Sequence, residues 1–220
     1  MSDKKPVLII GGGISGITTA LEAAEVGYKV VLVEKEAYLG GRVARINHYF
    51  PKLCPPYCGL EINFRRIKQN PNITLYTLAE VTDVSGSPGN YSATIKIFPR
   101  YINEKCTACG DCEKVCETTC PNDFNLGMDN KKAVFMPHPM AFPYRYVLKK
   151  DSCSQDELKK IKEACKYDAI DLEMQPKEIK IDTGSVVLAS GWKPYDPEKI
   201  ENLNYNSSPN IITNVIMERL

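Results

Sequence analysis

Val7-Leu8-Ile9-Ile10-Gly11-Gly12-Gly13-Ile14-Ser15-Gly16 is the stretch that decides the fold. Four apolar residues in a row are the pattern of a strand buried on both faces of a parallel sheet, and the glycines end it abruptly. From Ile14 to Val26 the chain is Ala-rich with apolar residues at helical spacing, and Gly27 stops that helix. Lys29 to Glu34 is a second apolar strand, so residues 7–34 form a predicted βαβ unit. Within it, Gly11, Gly13 and Gly16 make the pattern G-x-G-x-x-G. The first glycine permits the tight turn, the second lets a phosphate approach the backbone, and the third lets helix and strand pack. The helix opens at Ile14 and Ser15, so its free N–H groups and the positive end of its dipole face a pyrophosphate. Glu34, at the end of the second strand, stands where a carboxylate accepts from a ribose hydroxyl and repels a 2′-phosphate, which argues against NADP.

Outward from this unit, residues 61–70 carry charges and apolar positions at helical spacing, and Pro71-Asn72 punctuates them before a third strand candidate, Ile73 to Leu78. Glu80 to Val84 and Tyr91 to Ile97 alternate, and Gly86-Ser87-Pro88-Gly89-Asn90 joins them in a hairpin signature. A cysteine-rich region follows, starting at Cys106 and running through the Pro-rich connection Met136 to Pro143 to Cys153 and Cys165. Strand character returns at Glu178 to Asp182 and Val186 to Ala189, the latter ending in Ser190-Gly191. The expected organisation is a Rossmann-like domain over 1–102, an insertion over 103–175, and a return to the first domain over 176–220.

Cys106, Cys109, Cys112 and Cys116 form the run Cys-x2-Cys-x2-Cys-x3-Cys. Thiolates at that spacing wrap one iron-sulfur cube within a tight loop, whereas a structural zinc site usually shows two separated Cys-x2-Cys knuckles and only one such region is present. In two-cluster ferredoxins the fourth cysteine of such a run ligates the other cluster, and a distant cysteine closes the first. The distant candidate is Cys165, in a segment that looks like the end of a ferredoxin half with Lys166 where proline is usual. The partner half should supply a second cysteine triplet, yet the chain offers only Cys153 and then a charged, helix-like stretch to Glu163. The expectation is one 4Fe-4S cluster on Cys106, Cys109, Cys112 and Cys165, with Cys116 as the competing fourth ligand. Cys120 and Cys153 lack ligand spacing and read as inert thiols. Cys54 and Cys58 flank a Pro-stiffened loop and are either a redox pair, weak candidates for catalysis, or two buried thiols beneath a rigid turn. His48 and His138 lack paired metal spacing and read as structural or surface residues.

Composition adds exclusions. The 220 residues are 43% hydrophobic and 25% charged with a formal net charge of +1, so neither nucleic acid nor an anionic membrane surface is expected as a partner. Nine cysteines, an odd count, with no signal-peptide pattern at the start favour a reducing cytoplasm with thiolates kept for metal. The longest apolar stretch, Val7 to Leu21, is broken by glycines and too short to span a bilayer, so direct membrane insertion is not expected.

Glu34-Lys35-Glu36-Ala37-Tyr38-Leu39-Gly40-Gly41-Arg42 resembles the extended fingerprint of FAD-dependent oxidoreductases, and Val186-Val187-Leu188-Ala189-Ser190-Gly191 resembles their later Ala-Thr-Gly strand. The resemblance implies FAD as cofactor, with Lys35, Gly41, Arg42, Ala189 and Gly191 beside it, in a Rossmann-like FAD-binding domain carrying an inserted ferredoxin-like iron-sulfur segment. Together with the Cys54/Cys58 loop and the hairpin, these parts occur in the same order in flavoproteins similar to the A-type flavoprotein of heterodisulfide reductase. Arg42 through Gly59, Cys106 to Cys120 and Pro137 to Tyr146 look closest to the A-type flavoproteins of quinone-interacting membrane-bound oxidoreductases of sulfate reducers. That likeness implies a cytoplasmic FAD and iron-sulfur electron-transfer subunit, complexed with a second flavoprotein and a quinone-reactive membrane subunit. Such a complex would link menaquinone to adenylylsulfate (APS) reductase. The alternatives are an electron-bifurcating subunit of the heterodisulfide reductase type and a non-catalytic cofactor-binding assembly module. Family folds usually carry a later Gly-Asp for the ribityl chain, and the only one here, Gly110-Asp111, lies inside the cysteine run. A truncated or N-terminal portion of a longer protein is therefore expected.

Overall fold

In a computed structural model, which describes residues 5–48, 51 and 53–220, the opening run Val7–Ile10 is strand β1 and Ile14–Glu25 is helix α1. Strand β2 covers Val30–Glu34, helix α2 Tyr57–Gln69 and strand β3 Ile73–Thr77. The hairpin is β4 (Ala79–Ser87) and β5 (Asn90–Ile97). In the cysteine region lie α3 (Asp111–Val115), β6 (Thr119–Pro121), β7 (Asn130–Lys132), β8 (Val134–Phe135), β9 (Val147–Leu148) and α4 (Gln155–Glu163). After them come β10 (Lys177–Thr183), β11 (Ser185–Leu188) and the short α5 (Asn214–Met217).

Strands β1, β2, β3 and β11 form a parallel sheet in the order β11-β1-β2-β3. Successive side chains of a strand point to opposite faces, so each strand feeds two cores. Ile9 and Leu32 face the helices, against Ile17, Ala20, Leu21 and Ala24 of α1 and Leu60, Phe64 and Ile67 of α2. Both helical sets recur at three- and four-residue steps, one apolar stripe per helix. Leu8 and Val33 face the other way, onto Ala79, Ala93 and Ile95 of an antiparallel sheet ordered β10-β5-β4. The result is a Rossmann-like α/β layer of helices on a parallel sheet, backed by a second sheet.

The hairpin forms as its alternation predicts, but its strands run further than the sequence pattern suggests. Ser87 pairs with Asn90, leaving Pro88-Gly89 as the two-residue turn, with Gly89 at φ 87°. The returning segment β10, expected as a strand, pairs antiparallel with β5 from Lys177↔Ile97 to Thr183↔Tyr91, a pairing that periodicity alone did not give. Helix α2 begins at Tyr57, four residues before the expected start, because Pro56 is tolerated at a helix N-terminus and Pro55-Pro56 block only what precedes it.

The cysteine region has a core of its own, in which Ile102, Val134, Leu148, Leu158, Ile161 and Ile170 are buried. Its two ends meet at an Ile102↔Ile170 bridge, with Asn103 N–H donating to the Ala169 carbonyl at 2.8 Å. Met136 packs on both this core and the helix-side core. Arg100, buried, also ties the parts together, donating to the Ala37 carbonyl, to Thr77 Oγ1 at 3.0 Å and to the Arg145 carbonyl at 3.2 Å.

His138 is structural, one of the two roles its sequence context allows. Its ring stacks on Phe124 at 4.8 Å and meets Tyr38 edge-on at 5.0 Å, and neither ring nitrogen has a hydrogen-bond partner among the described residues. Burial, then the charges of Arg219 and Arg45, push its pKa down to about 4. Between its ordinary ~6.5 and about 4, the unfolded chain takes up a proton that the folded chain refuses, so stability falls as pH falls through that window. His138→Phe, which keeps the stack, should remove roughly 3 kcal/mol of acid destabilisation from that group. Urea titrations of both proteins at neutral pH and at the acid end of the window measure it, and parallel losses in the two proteins would refute it.

Candidate functional site

The glycine loop lies at the carboxyl ends of the parallel strands, where β1 separates strands that run off in opposite directions across the sheet. Gly11 has φ 110°, and a Cβ there would stand 2.3 Å from the Ala189 carbonyl oxygen. A Cβ on Gly16 would stand 1.8 Å from the Gly11 carbonyl oxygen, so this glycine lets helix and strand touch. Beside Gly13 a Cβ would meet nothing within 4 Å. That open ground faces the first turn of α1, which carries no acidic residue and no side-chain cap. Ile14 and Ser15 are exposed in this turn.

Glu34 is buried at 5% exposure. Its Oε2 accepts from Gly12 N–H at 2.6 Å and its Oε1 from Glu36 N–H at 2.8 Å. Burial raises its pKa, and the two backbone bonds oppose that rise. Gly40 N–H donates to the Gly12 carbonyl at 2.8 Å, and a Cβ on Gly41 would stand 3.0 Å from Gly13 Cα, so the Gly40-Gly41-Arg42 segment lies against the loop. The Arg42 guanidinium sits 3.8 Å from the centre of the Trp192 ring, a cation–π contact. Ala189 N–H donates to the Ile10 carbonyl at 2.8 Å, and Gly191 follows at φ 68°. Lys35 is exposed beyond the end of β2. Residues far apart in sequence thus converge on one strand end.

The second site is built by the cysteine loop. Ala108 at φ 57° and Gly110 at φ 82° turn the backbone through left-handed conformations, which swings Cys106, Cys109 and Cys112 toward one another. Cys106, Cys109, Cys112 and Cys165 line one crevice with the apolar Ile102, Tyr146 and Ile170. Ala169 N–H donates to Cys165 Sγ at 3.4 Å, the kind of amide contact that lowers the charge on a ligating sulfur. Burial, then the neighbouring Cys106, Cys165 and Cys109, push the Cys112 thiol up to about 12. A metal centre would reverse that cost by holding the sulfurs as thiolates. Among the described residues, no three of these four thiols fall within 4.8 Å of one another. Ligands of one zinc stand closer than that, so the crevice suits a multi-iron cluster better than a single ion.

Cys116 is absent from this crevice. At the carboxyl end of α3 it is buried on another side, with its Sγ, Cys153 Sγ and a Glu157 carboxylate oxygen mutually within 4.8 Å. Cys153, which reads from the sequence as an inert thiol without ligand spacing, is carried by the turn ahead of α4 to Cys116. Glu157 gave no signal as a site residue. Ser154-Gln155-Asp156-Glu157 has the form of a capping box, in which the glutamate would fold back on its own helix start. Ser154 does cap α4, accepting from Glu157 N–H at 3.3 Å. The carboxylate instead crosses to the other chain segment, where Oε1 accepts from Glu117 N–H at 2.7 Å and Thr118 N–H at 2.8 Å, and Oε2 from Thr118 Oγ1 at 2.6 Å. Burial would raise its pKa, but these bonds outweigh it and hold the carboxyl at about 2.

Residues 6–50 match the family model described as FAD dependent oxidoreductase. The chain is 42% identical over 215 residues to the first of the iron-sulfur A-type chains of CoB–CoM heterodisulfide reductase from Methanopyrus kandleri, covering 97% of this chain and 32% of that protein. It is 40% identical over 220 residues to the corresponding protein of Methanocaldococcus jannaschii, with coverages of 98% and 33%. Its homologues include the A-type chains of heterodisulfide reductases. A third, from the ferredoxin/F420H2-dependent CoB–CoM heterodisulfide reductase of Methanosarcina acetivorans, is 38% identical over 216 residues, covering 97% of this chain and 27% of that protein. The chain spans about a third or less of the length of these relatives, and the likeness runs through the cysteine region as well as the glycine loop.

Cys54 and Cys58 do not form the buried pair that was one of their two readings. Cys54 is half-buried and Cys58 is exposed at the start of α2, because the first turn of that helix presents this face to solvent. His48 is exposed. No helix among the described residues is long and apolar enough to cross a membrane.

Proposed function

We propose that this chain is the FAD and iron-sulfur electron-transfer portion of an oxidoreductase component of the heterodisulfide reductase A type. The observation that carries the reading is the crevice of Cys106, Cys109, Cys112 and Cys165 on the same chain as the glycine loop. Bound FAD and a 4Fe-4S cluster would supply the redox chemistry. The protein supplies position and electrostatics. Gly11, Gly13, Ile14, Ser15 and Gly16 would receive the diphosphate on the helix start, Glu34 the ribose, and Gly41, Arg42, Ala189 and Gly191 the far side of the cofactor, with Lys35 at its edge. The open ground beside Gly13 and the uncapped first turn of α1 fit that group. The apolar walls at Ile102 and Ile170 would keep water from the cluster and tune its potential. Partner subunits would bring electrons in and take them away.

A second reading, a component linking the menaquinone pool to APS reductase through a second flavoprotein and a quinone-reactive membrane subunit, rests on the missing second cysteine triplet. The heterodisulfide reductase relatives favour the first reading. An absorption spectrum of the anaerobically reconstituted chain tests the shared core of both. Flavin bands over a broad iron-sulfur shoulder that dithionite bleaches are expected. Flavin bands without the shoulder would remove the cluster from the reading, and a colourless protein would leave only an assembly module.

A further inference from the structure

Outside both sites, Cys116, Cys153 and Glu157 form a group that electron transfer through the crevice does not use. Cys116 closes α3, Cys153 precedes the cap of α4, and Glu157 sits in the first turn of α4, so the packing of α3 on α4 creates the cluster. Their two sulfurs and one carboxylate oxygen lie within 4.8 Å of one another, the one such group among the described residues. Cys116 is 1% exposed and Glu157 9% exposed, while Cys153 is half-buried at the edge. The carboxylate is held in place by Glu117 N–H, Thr118 N–H and Thr118 Oγ1, three neutral donors that orient it and leave its charge unbalanced.

We propose that Cys116, Cys153 and Glu157 bind a single thiophilic divalent ion of the zinc class, at a site separate from the four-cysteine crevice. Ligand atoms around a tetrahedral zinc stand roughly 3.3–3.8 Å apart, given bonds of about 2.0–2.3 Å, so the observed spacing closes with small side-chain adjustments. Two sulfurs and one oxygen match the borderline softness of zinc. Three protein ligands leave the fourth position to water, on the half-buried side where Cys153 meets solvent. An iron-sulfur cube would need more thiolates than the two present. The site would clamp the start of α4 to the end of α3, the helix whose second residue, Cys112, lines the crevice.

The test uses the whole chain after anaerobic cluster reconstitution, equilibrated with zinc chloride and freed of loose metal by gel filtration. Zinc and iron are then counted per chain, and the zinc K-edge absorption is recorded. The expected result is about one zinc with two sulfur neighbours and the rest oxygen, alongside the cluster iron. Cys153→Ser and Glu157→Gln should each weaken zinc binding at least about tenfold while leaving the iron count unchanged. Less than a tenth of an equivalent of zinc, a shell of four sulfurs, or zinc retained by both variants would overturn the site. So would a second cluster's worth of iron that disappears in Cys153→Ser, or a Cys116–Cys153 disulfide found by mass spectrometry in protein kept under argon. Because zinc and iron are counted separately, failure of this site and failure of the crevice as a cluster site give different results.

Discussion

Cys165→Ser is expected to abolish the iron-sulfur cluster proposed for this chain, and Cys116→Ser is expected to leave it in place. Both cysteines compete in the sequence for the fourth ligand position, and the ferredoxin pattern, in which a distant cysteine closes the cluster, prefers Cys165. The fold argues the same way. Helix α3 carries Cys112 into the crevice and ends at Val115, and the extended backbone of its cap, Cys116 (φ −75°, ψ 127°), turns that thiol toward Cys153 and Glu157. The vacated corner is filled by Cys165, which leaves α4 just after its carboxyl end and accepts an N–H bond from Ala169. Removing one of four thiolates from a cube should lower iron content and the cluster shoulder to about a tenth or less after gel filtration, since even losing a supporting group costs 10–100-fold in metal affinity. Iron and sulfide analysis with visible spectra of both variants decides it. A normal cluster in Cys165→Ser would overturn the ligand set.

Two neighbouring glycines should part company in the same way. Gly16→Ala places a methyl 1.8 Å from the Gly11 carbonyl oxygen, and backbone on both sides leaves no flexible end to yield. Relief requires lifting α1 off β1, which breaks the packing of Ile17, Ala20 and Leu21 on Ile9. A loss of about 3 kcal/mol or more is expected, enough to consume much of a typical domain's stability. Gly13→Ala meets open space at φ −73°, ψ −175°, a conformation alanine adopts freely, so its stability change should stay within about 1 kcal/mol. Its effect falls on the cofactor, because the methyl occupies the ground a phosphate would need. FAD affinity should drop at least about tenfold, or roughly 1.4 kcal/mol. Urea melts measure the first quantity and quenching of flavin fluorescence the second. A folded, stable Gly16→Ala protein, or unchanged FAD binding in Gly13→Ala, would refute the respective argument.

These contrasts mark how far local pattern reaches. The period-two and helical runs placed β1, α1, β2 and the β4/β5 hairpin because each is specified by contacts between near neighbours and by where Gly or Pro interrupts them. The first turn of α2 escaped because Tyr57-Cys58-Gly59-Leu60 contributes a single buried residue to the helix stripe. The pairing of β10 with β5 joins residues 80 to 92 positions apart, and no periodicity within either strand names its partner.

The same division holds for the candidate sites. By itself the sequence determined that a glycine loop opens a βαβ unit, that Glu34 ends its second strand, and that three cysteines share one tight loop, since each follows from spacing along a few turns of chain. That Cys165 lines the crevice while its competitor Cys116 does not, and that Cys116, Cys153 and Glu157 meet elsewhere, was decided only by tertiary packing. The direction in which a side chain leaves α3 or α4 depends on which helix face is buried, and that face is chosen by the core around Leu158 and Ile161.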